Sequence, residues 1–458
     1  MENNGVQNAA VETAQAVPQA EAISADEIAL YDRQIRLWGV QAQENIRKAN
    51  ILLIRVKALA NEVAKNLVLA GIGKLTIIDH EVVTEDDLAA QFFIQEADVG
   101  RNRAEAAAPE MRKLNPRVEI TVDTSDVRDK PDLAGFFAPF DIIIATDLDF
   151  PTTSTLNAAS RMKEKAFYAG GAHGMYGYIF ADLISHTFQI ERKKSNVPTR
   201  IGPECTTRSI ISTTTKRENG ELKEVVVKKE LYTPLLLANS SPLPSEILNR
   251  NRLLKQVTPL LSCLRALWDF EKELGRAPTH SHTDLQAFTT KATEKHRELQ
   301  LPMETLRSEF LRSFLQNIGS EMSPVTAFLG AHLAQDVINV LGAREQPIQN
   351  FVMFDGEEFQ APVYSLHPIF DDGLDAVVNG VSVVPAAQVV TVGGPSNAMV
   401  IGDWQHGEKI PGYGLFFSEM FQDTHDSSSF TLGTQVNFFA ERFGVDIIAM
   451  IRKFVIVL

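Results

Sequence analysis

The residues best equipped for chemistry are few and scattered. Asp32, Arg33 and Arg36 share the polar side of the first helical segment, and a guanidinium there offers a planar fork of donors that suits phosphate oxygens. By position alone Arg33 is an exposed arginine pairing with Asp32 or Glu27, a contact worth little. Asp79 closes an apolar run, where nucleotide-binding sheets place an acid on ribose hydroxyls; a solvent-facing strand-end carboxylate gives the same pattern. Asp147 and Asp149 follow a later apolar run and read as turn acids. Cys263, within Leu260-Leu261-Ser262-Cys263-Leu264, reads as packing, and Cys205 lies between Glu204 and Thr206 in a polar stretch; a catalytic thiol needs a nearby cation or helix N-terminus to lower its pKa. His280 and His282 are a close pair without a third ligand, so a metal site is not expected.

The elements that must position these groups follow from capping and periodicity. Ser24 and Glu27 form a capping box, and Ile28, Tyr31, Ile35 and Trp38 then fall on one apolar helix face. From Asn50 to Asp79 the chain reads strand, helix, strand: Ile51 to Ile54, Asn61 to Ala70, and Leu75 to Ile78, with Gly71-Ile72-Gly73 as the helix stop. Continuous apolar strands flanking a helix mark a βαβ unit buried on both faces. A helix over about 101–114 must bend or restart at Pro109. Further strands at Val118 to Val122, Asp141 to Thr146 and Ala166 to Ala169 extend a doubly wound α/β sheet.

The remaining chain divides into four stretches. Residues 193–229 are polar and weakly periodic and read as a flexible surface excursion. A helical subdomain follows to about 320. Ser323-Pro324 then opens a helix to Leu341, and Phe351 to Phe354 returns as a strand ending at Asp355-Gly356. The domain plan is therefore a tail at 1–23, a sheet domain at 24–192, an insertion at 193–320, the return of the sheet domain at 321–368, and an extension of unassigned role at 369–458.

Composition sets limits on partners. In 458 residues, 44% hydrophobic and 22% charged, the mix is that of a globular chain. Forty-four Lys and Arg against 58 Asp and Glu leave a net charge of −14, so no general basic field would attract nucleic acid. Two cysteines are too few for a disulfide framework. No run approaches the ~20 apolar residues of a membrane span, and the first 22 residues do not have the form of a secretory signal.

The turn from the first strand into its helix reads Arg55-Val56-Lys57-Ala58-Leu59-Ala60-Asn61 and contains no glycine. Phosphates bound at such turns must approach backbone amides closely, and side chains occupy the space a pyrophosphate needs. Arg55 and Lys57 are cations that could attract phosphate, but the geometry argues against it. A Rossmann oxidoreductase would require glycine in this loop.

Several motifs together resemble the enzymes that activate ubiquitin-like proteins. These are Tyr31-Asp32-Arg33-Gln34-Ile35-Arg36-Leu37-Trp38-Gly39, the unit ending Ile77-Ile78-Asp79, Asp98-Val99-Gly100-Arg101-Asn102-Arg103-Ala104-Glu105, Leu114-Asn115-Pro116, Ser320-Glu321-Met322-Ser323-Pro324-Val325 and Phe354-Asp355-Gly356. The resemblance covers about residues 24–368. Within that family the match is most similar to the smaller, non-thioester subunits of the SUMO-activating heterodimers, with the NEDD8-pathway subunits as the alternative.

The resemblance implies a Rossmann-like adenylation fold of the ThiF/MoeB type with a helical insertion, forming one half of a heterodimer. ATP and Mg2+ would be bound by the partner, a larger catalytic subunit carrying the thioester cysteine, and the substrate would be a SUMO-type modifier. It implies that Arg33 crosses the interface to contact phosphates in trans. Asp79 would be at most a weak nucleotide contact, because the Asn and Arg that hold phosphates in active members are replaced in Asp86-Asp87-Leu88-Ala89-Ala90-Gln91. A nuclear location, with a cytoplasmic pool, is likewise implied by resemblance only, since Arg192-Lys193-Lys194 is too short for an import signal.

Overall fold

The computed structural model describes residues 24–218, 220–279 and 281–368, together with two short paired strands at Val390–Thr391 and Val400–Ile401. The expected tail at 1–23, most of the extension at 369–458, and His280 lie outside the described residues.

The Ser24–Glu27 capping box forms with both reciprocal bonds and opens α1 (Ala25–Leu30). α2 (Asp32–Trp38) and α3 (Val40–Lys48) follow. The single apolar face expected from Ile28 to Trp38 is broken at Tyr31, which sits between the two helices at φ −99°, ψ 14°. Tyr31 is buried while Ile28 is exposed, because the tyrosine turns into a socket of its own.

The central unit then runs β1 (Asn50–Ile54), α4 (Ala58–Ala70), β2 (Lys74–Ile78), α5 (Arg103–Leu114), β3 (Glu119–Asp123), α6 (Leu133–Phe137), β4 (Ile142–Thr146), α7 (Phe150–Met162), β5 (Ala166–His173) and β6 (Tyr176–Asp182). α4 starts three residues earlier than its apolar spacing indicates and stops at Gly71 in the left-handed region. α5 carries Pro109 within one continuous range.

Residues 193–229, expected as a flexible excursion, instead belong largely to a four-stranded antiparallel sheet. Its strands are β7 (Ser185–Lys193), β8 (Gly202–Pro203), β9 (Arg208–Glu218) and β10 (Glu221–Leu231), in the order β7-β10-β9-β8. The strand period was hidden because the inward positions of β10 are Glu224, Val226, Lys228 and Glu230. These charges are satisfied inside the sheet by Arg192, Glu204 and Arg208, so a face that faces protein reads as polar.

The helical subdomain is α8 (Leu235–Ser240), α9 (Ser245–Leu248), α10 (Asn251–Leu254), α11 (Leu260–Leu274), α12 (His282–Glu298) and α13 (Ser308–Gln316). α14 (Ser323–Gly342), β11 (Phe351–Asp355) and β12 (Val363–Tyr364) return the chain to the main sheet.

That sheet has eight strands in the order β12-β11-β6-β5-β4-β1-β2-β3. The five strands from β3 to β5 pair in parallel, and β6, β11 and β12 add antiparallel. Alternation along β1 sends Ile51 and Leu53 into one core with α4, α5 and α14. Leu52 and Ile54 enter the other, with α7 and α11 to α13. Both faces are covered, which is why these strands are apolar without interruption.

Candidate functional site

The direction of strand addition reverses between β1 and β4, the place where doubly wound sheets bind ligands beyond their carboxyl ends. A crevice opens there, lined by Arg55, Asp79, Glu81, Asp126 and Asp149 among others, with a volume of about 60 Å³. Sites that enclose small ligands run to roughly 300–1,000 Å³, so this crevice is well below that size.

The chain fills this site with its own groups. Arg55 adopts φ 67°, the conformation a glycine would take, at a strain of ~1–2 kcal/mol. Its guanidinium donates to the Asp147 carbonyl, and to Glu81 at 3.2 Å. Asp79 is 3% exposed. It accepts the Val56 amide at 2.8 Å, Arg103 Nη1 at 2.8 Å and the Glu81 amide at 2.9 Å, so the carboxylate weighed for ribose is occupied by intrachain donors. Arg103 reaches on to Glu81 at 3.1 Å and Asp87 at 3.5 Å. Burial opposes ionisation of Glu81, but Arg55 and Arg103 outweigh it and hold its carboxyl below the usual range.

The amides at the start of α4 point where a phosphate would lie. The position is taken by Glu321, whose Oε1 accepts the Ala58 amide at 2.8 Å. Burial and the neighbouring Asp147 push the Glu321 carboxyl above its ordinary value, while Lys57 and the Ala58 amide oppose the rise. Asp147, at φ 52°, accepts the Ala172 amide at 3.0 Å and is raised by burial. Asp149 caps α7 through Thr152, the turn role its sequence indicated. In the segment 86–91, Asp87 accepts from Thr84 and Gln91 and contributes no cation to the crevice. A nucleoside triphosphate does not fit these residues.

Arg33 lies elsewhere. It is exposed on α2, and among the described residues no carboxylate pairs with it. Asp32 pairs with Arg36 at 2.9 Å, and Glu27 faces Arg47 at 3.5 Å and Arg117 at 3.7 Å. The arm of α1 to α3 docks on the C-terminal end of α4, as in the bond from Gln34 to the Leu69 carbonyl. The crevice is at the N-terminal end. Thirteen residues of helix, about 20 Å, separate the two, so Arg33 and Asp79 are not brought together.

Neither cysteine joins the crevice. Cys263 is buried in α11, where burial pushes its thiol well up. Cys205 is exposed and lines a separate cavity of about 480 Å³ with Arg208, His332 and Asp336. That cavity is the larger opening, yet it holds none of the groups at the strand ends. Among the described residues no three His, Cys, Asp or Glu side chains converge as metal ligands.

Arg103, Glu321 and Glu81 are site residues that sequence reasoning did not assign. Glu81 lies in no motif, two residues after Asp79. Arg103 and Glu321 lie inside quoted motifs, Asp98 to Glu105 and Ser320 to Val325, but neither motif reveals what it touches.

Fold and site together define a doubly wound adenylation-type sheet whose own nucleotide position is sealed. The chain belongs to the ThiF family, whose model matches residues 31–370. It is 37% identical over 350 residues to the DNA damage tolerance protein RHC31 of Saccharomyces cerevisiae, covering 76% of this chain and 99% of that protein. It is 35% identical over 345 residues to rad31 of Schizosaccharomyces pombe, covering 75% and 98%. It is 35% identical over 351 residues to SUMO-activating enzyme subunit 1 of Homo sapiens, covering 76% and 97%.

Proposed function

We propose that this chain is the non-thioester subunit of a heterodimeric SUMO-activating enzyme. The complex joins the C-terminal carboxylate of a SUMO-type modifier to AMP, releasing pyrophosphate from MgATP, and passes the acyl group to a cysteine of the larger subunit. ATP and Mg2+ belong to that partner. Alone, this chain is inactive. Similarity to SUMO-activating enzyme subunit 1 over nearly the whole of that protein supports the substrate class.

The observation that carries this chain's part in the chemistry is the placement of Arg33. It is exposed, free of carboxylates among the described residues, and about 20 Å of helix away from a crevice that its own chain has sealed. That placement leaves it available for the role the family resemblance implies, reaching a neighbouring subunit where a permanent positive charge stabilises phosphate oxygens as adenylate forms. The complex is proposed to act in the nucleus, which fractionation of the endogenous pair checks.

The test is ATP:pyrophosphate exchange by the reconstituted pair carrying Arg33→Ala. Loss of one charged phosphate contact, ~1.5–3 kcal/mol, lowers exchange about 10- to 150-fold; a wild-type rate removes Arg33 from the reaction. Exchange supported by a NEDD8-type modifier and not by a SUMO-type one would reassign the pathway.

A further inference from the structure

The last carbonyls of a helix lack partners inside it. At the end of α4, three successive ones are taken by side-chain amides. Asn115 donates to Val68 O at 3.0 Å, Gln34 to Leu69 O at 3.3 Å and Gln43 to Ala70 O at 3.1 Å. Gln34 adjoins Arg33 on α2, and Gln43 lies on α3. Asn115, remote in sequence, also donates to the Tyr31 hydroxyl at 2.9 Å.

Tyr31 is the hinge residue before α2 and is 5% exposed. Its ring fits because position 71 has no side chain: a Cβ there would lie 2.4 Å from the tyrosine oxygen. The far end of α2 is tied as well. Trp38 donates to Gln43 Oε1 at 2.9 Å, and Arg344 donates to the Trp38 carbonyl at 2.8 Å while pairing with Glu191 at 2.9 Å. α2 itself buries no residue; Trp38, at its far end, packs partly buried against the core, and the polar ties add to that contact in setting the helix's position.

We infer that Asn115 is a positioning residue for Arg33: it pins Tyr31 to the end of α4 and so fixes where the guanidinium is presented. This rests on the reading of Arg33 as a phosphate contact in trans. It gives the Leu114-Asn115-Pro116 motif a role, since a side chain there must donate to a helix carbonyl and a phenol at once. Asn115 touches no reacting atom.

The test is exchange by the reconstituted heterodimer with Asn115→Ala, and with Tyr31→Phe as a milder variant that removes one hydroxyl and keeps the ring. Displacement of a catalytic group by about 1 Å can cost on the order of 100-fold. Each change is expected to lower kcat about 10- to 100-fold with KM for ATP little altered. In an Arg33→Ala background each is expected to add less than about twofold, because its effect runs through Arg33. A role in general stability alone would lower exchange by the same factor in both backgrounds, and that result, or no loss from Tyr31→Phe, overturns the inference. An Arg33→Ala complex with wild-type exchange sinks the functional reading itself, and the two failures are distinguishable.

Discussion

Replacing Arg103 with methionine tests whether the crevice is sealed. The Arg103 side chain is 3% exposed, against 1% for Asp79 and 3% for Asp87, with the nearer contact at 2.8 Å. Methionine keeps much of the volume but leaves two buried carboxylates without the cation they share. Removing one partner of a buried pair costs about 3–5 kcal/mol. Glu81 adds little to this, since its side chain is 36% exposed. Asp79 retains the Val56 and Glu81 amides, which favours the lower half of that range. Urea unfolding followed by circular dichroism measures the loss. A loss under about 1 kcal/mol would refute the reasoning. It would mean that water reaches these carboxylates and that the crevice is open enough to reconsider as a ligand site.

Other outcomes follow from the same structure. Gly71→Ala places a Cβ at φ 80° and 2.4 Å from the Tyr31 oxygen; it should destabilise the chain by ~2–4 kcal/mol from strain and overpacking together and unseat the arm, measured as raised proteolysis near Tyr31, and a melt within 1 °C of wild type would contradict it. Glu271, mostly buried, accepts the Phe150 amide at 3.1 Å and is pushed up to about 7 from an ordinary value of 4.5, chiefly by burial and then by Asp149. Because the folded state holds this proton more tightly, its contribution is fully present below pH 4.5 and is lost as pH rises through 7, a change of about 3 kcal/mol. Glu271→Gln should flatten stability across that window and stabilise the chain above it. Parallel pH profiles for the two proteins would show that Glu271 is solvated.

Much of the frame was legible in one dimension. The capping box, the apolar runs of β1, β2 and β4, the stop at Gly71 and the missing glycine between Arg55 and Asn61 are all local: each is a period or a residue type read within a dozen positions. The acid at Asp79 was placed at a strand end for the same reason. The insertion sheet escaped because three of the four inward positions of β10 are charged and find partners remote in sequence, so hydrophobic alternation, the signal for a strand, is largely inverted there. The break at Tyr31 escaped because its cause is a socket built by Asn115 and Gly71.

By itself, the amino-acid sequence determined the βαβ order, the family resemblance and the loss of a glycine cradle, because these depend on neighbours along the chain. Only the tertiary structure decided what became of the vacated site. Arg103 closes on Asp79 from 24 residues away, and Glu321 caps α4 from 263 residues away. The structure also decided that Arg33 stands exposed near the opposite end of α4, beside Gln34, which docks on a helix carbonyl. Such pairings are set by which chain ends a sheet brings together, and side-chain donors and acceptors carry no periodicity that would announce their partners in advance.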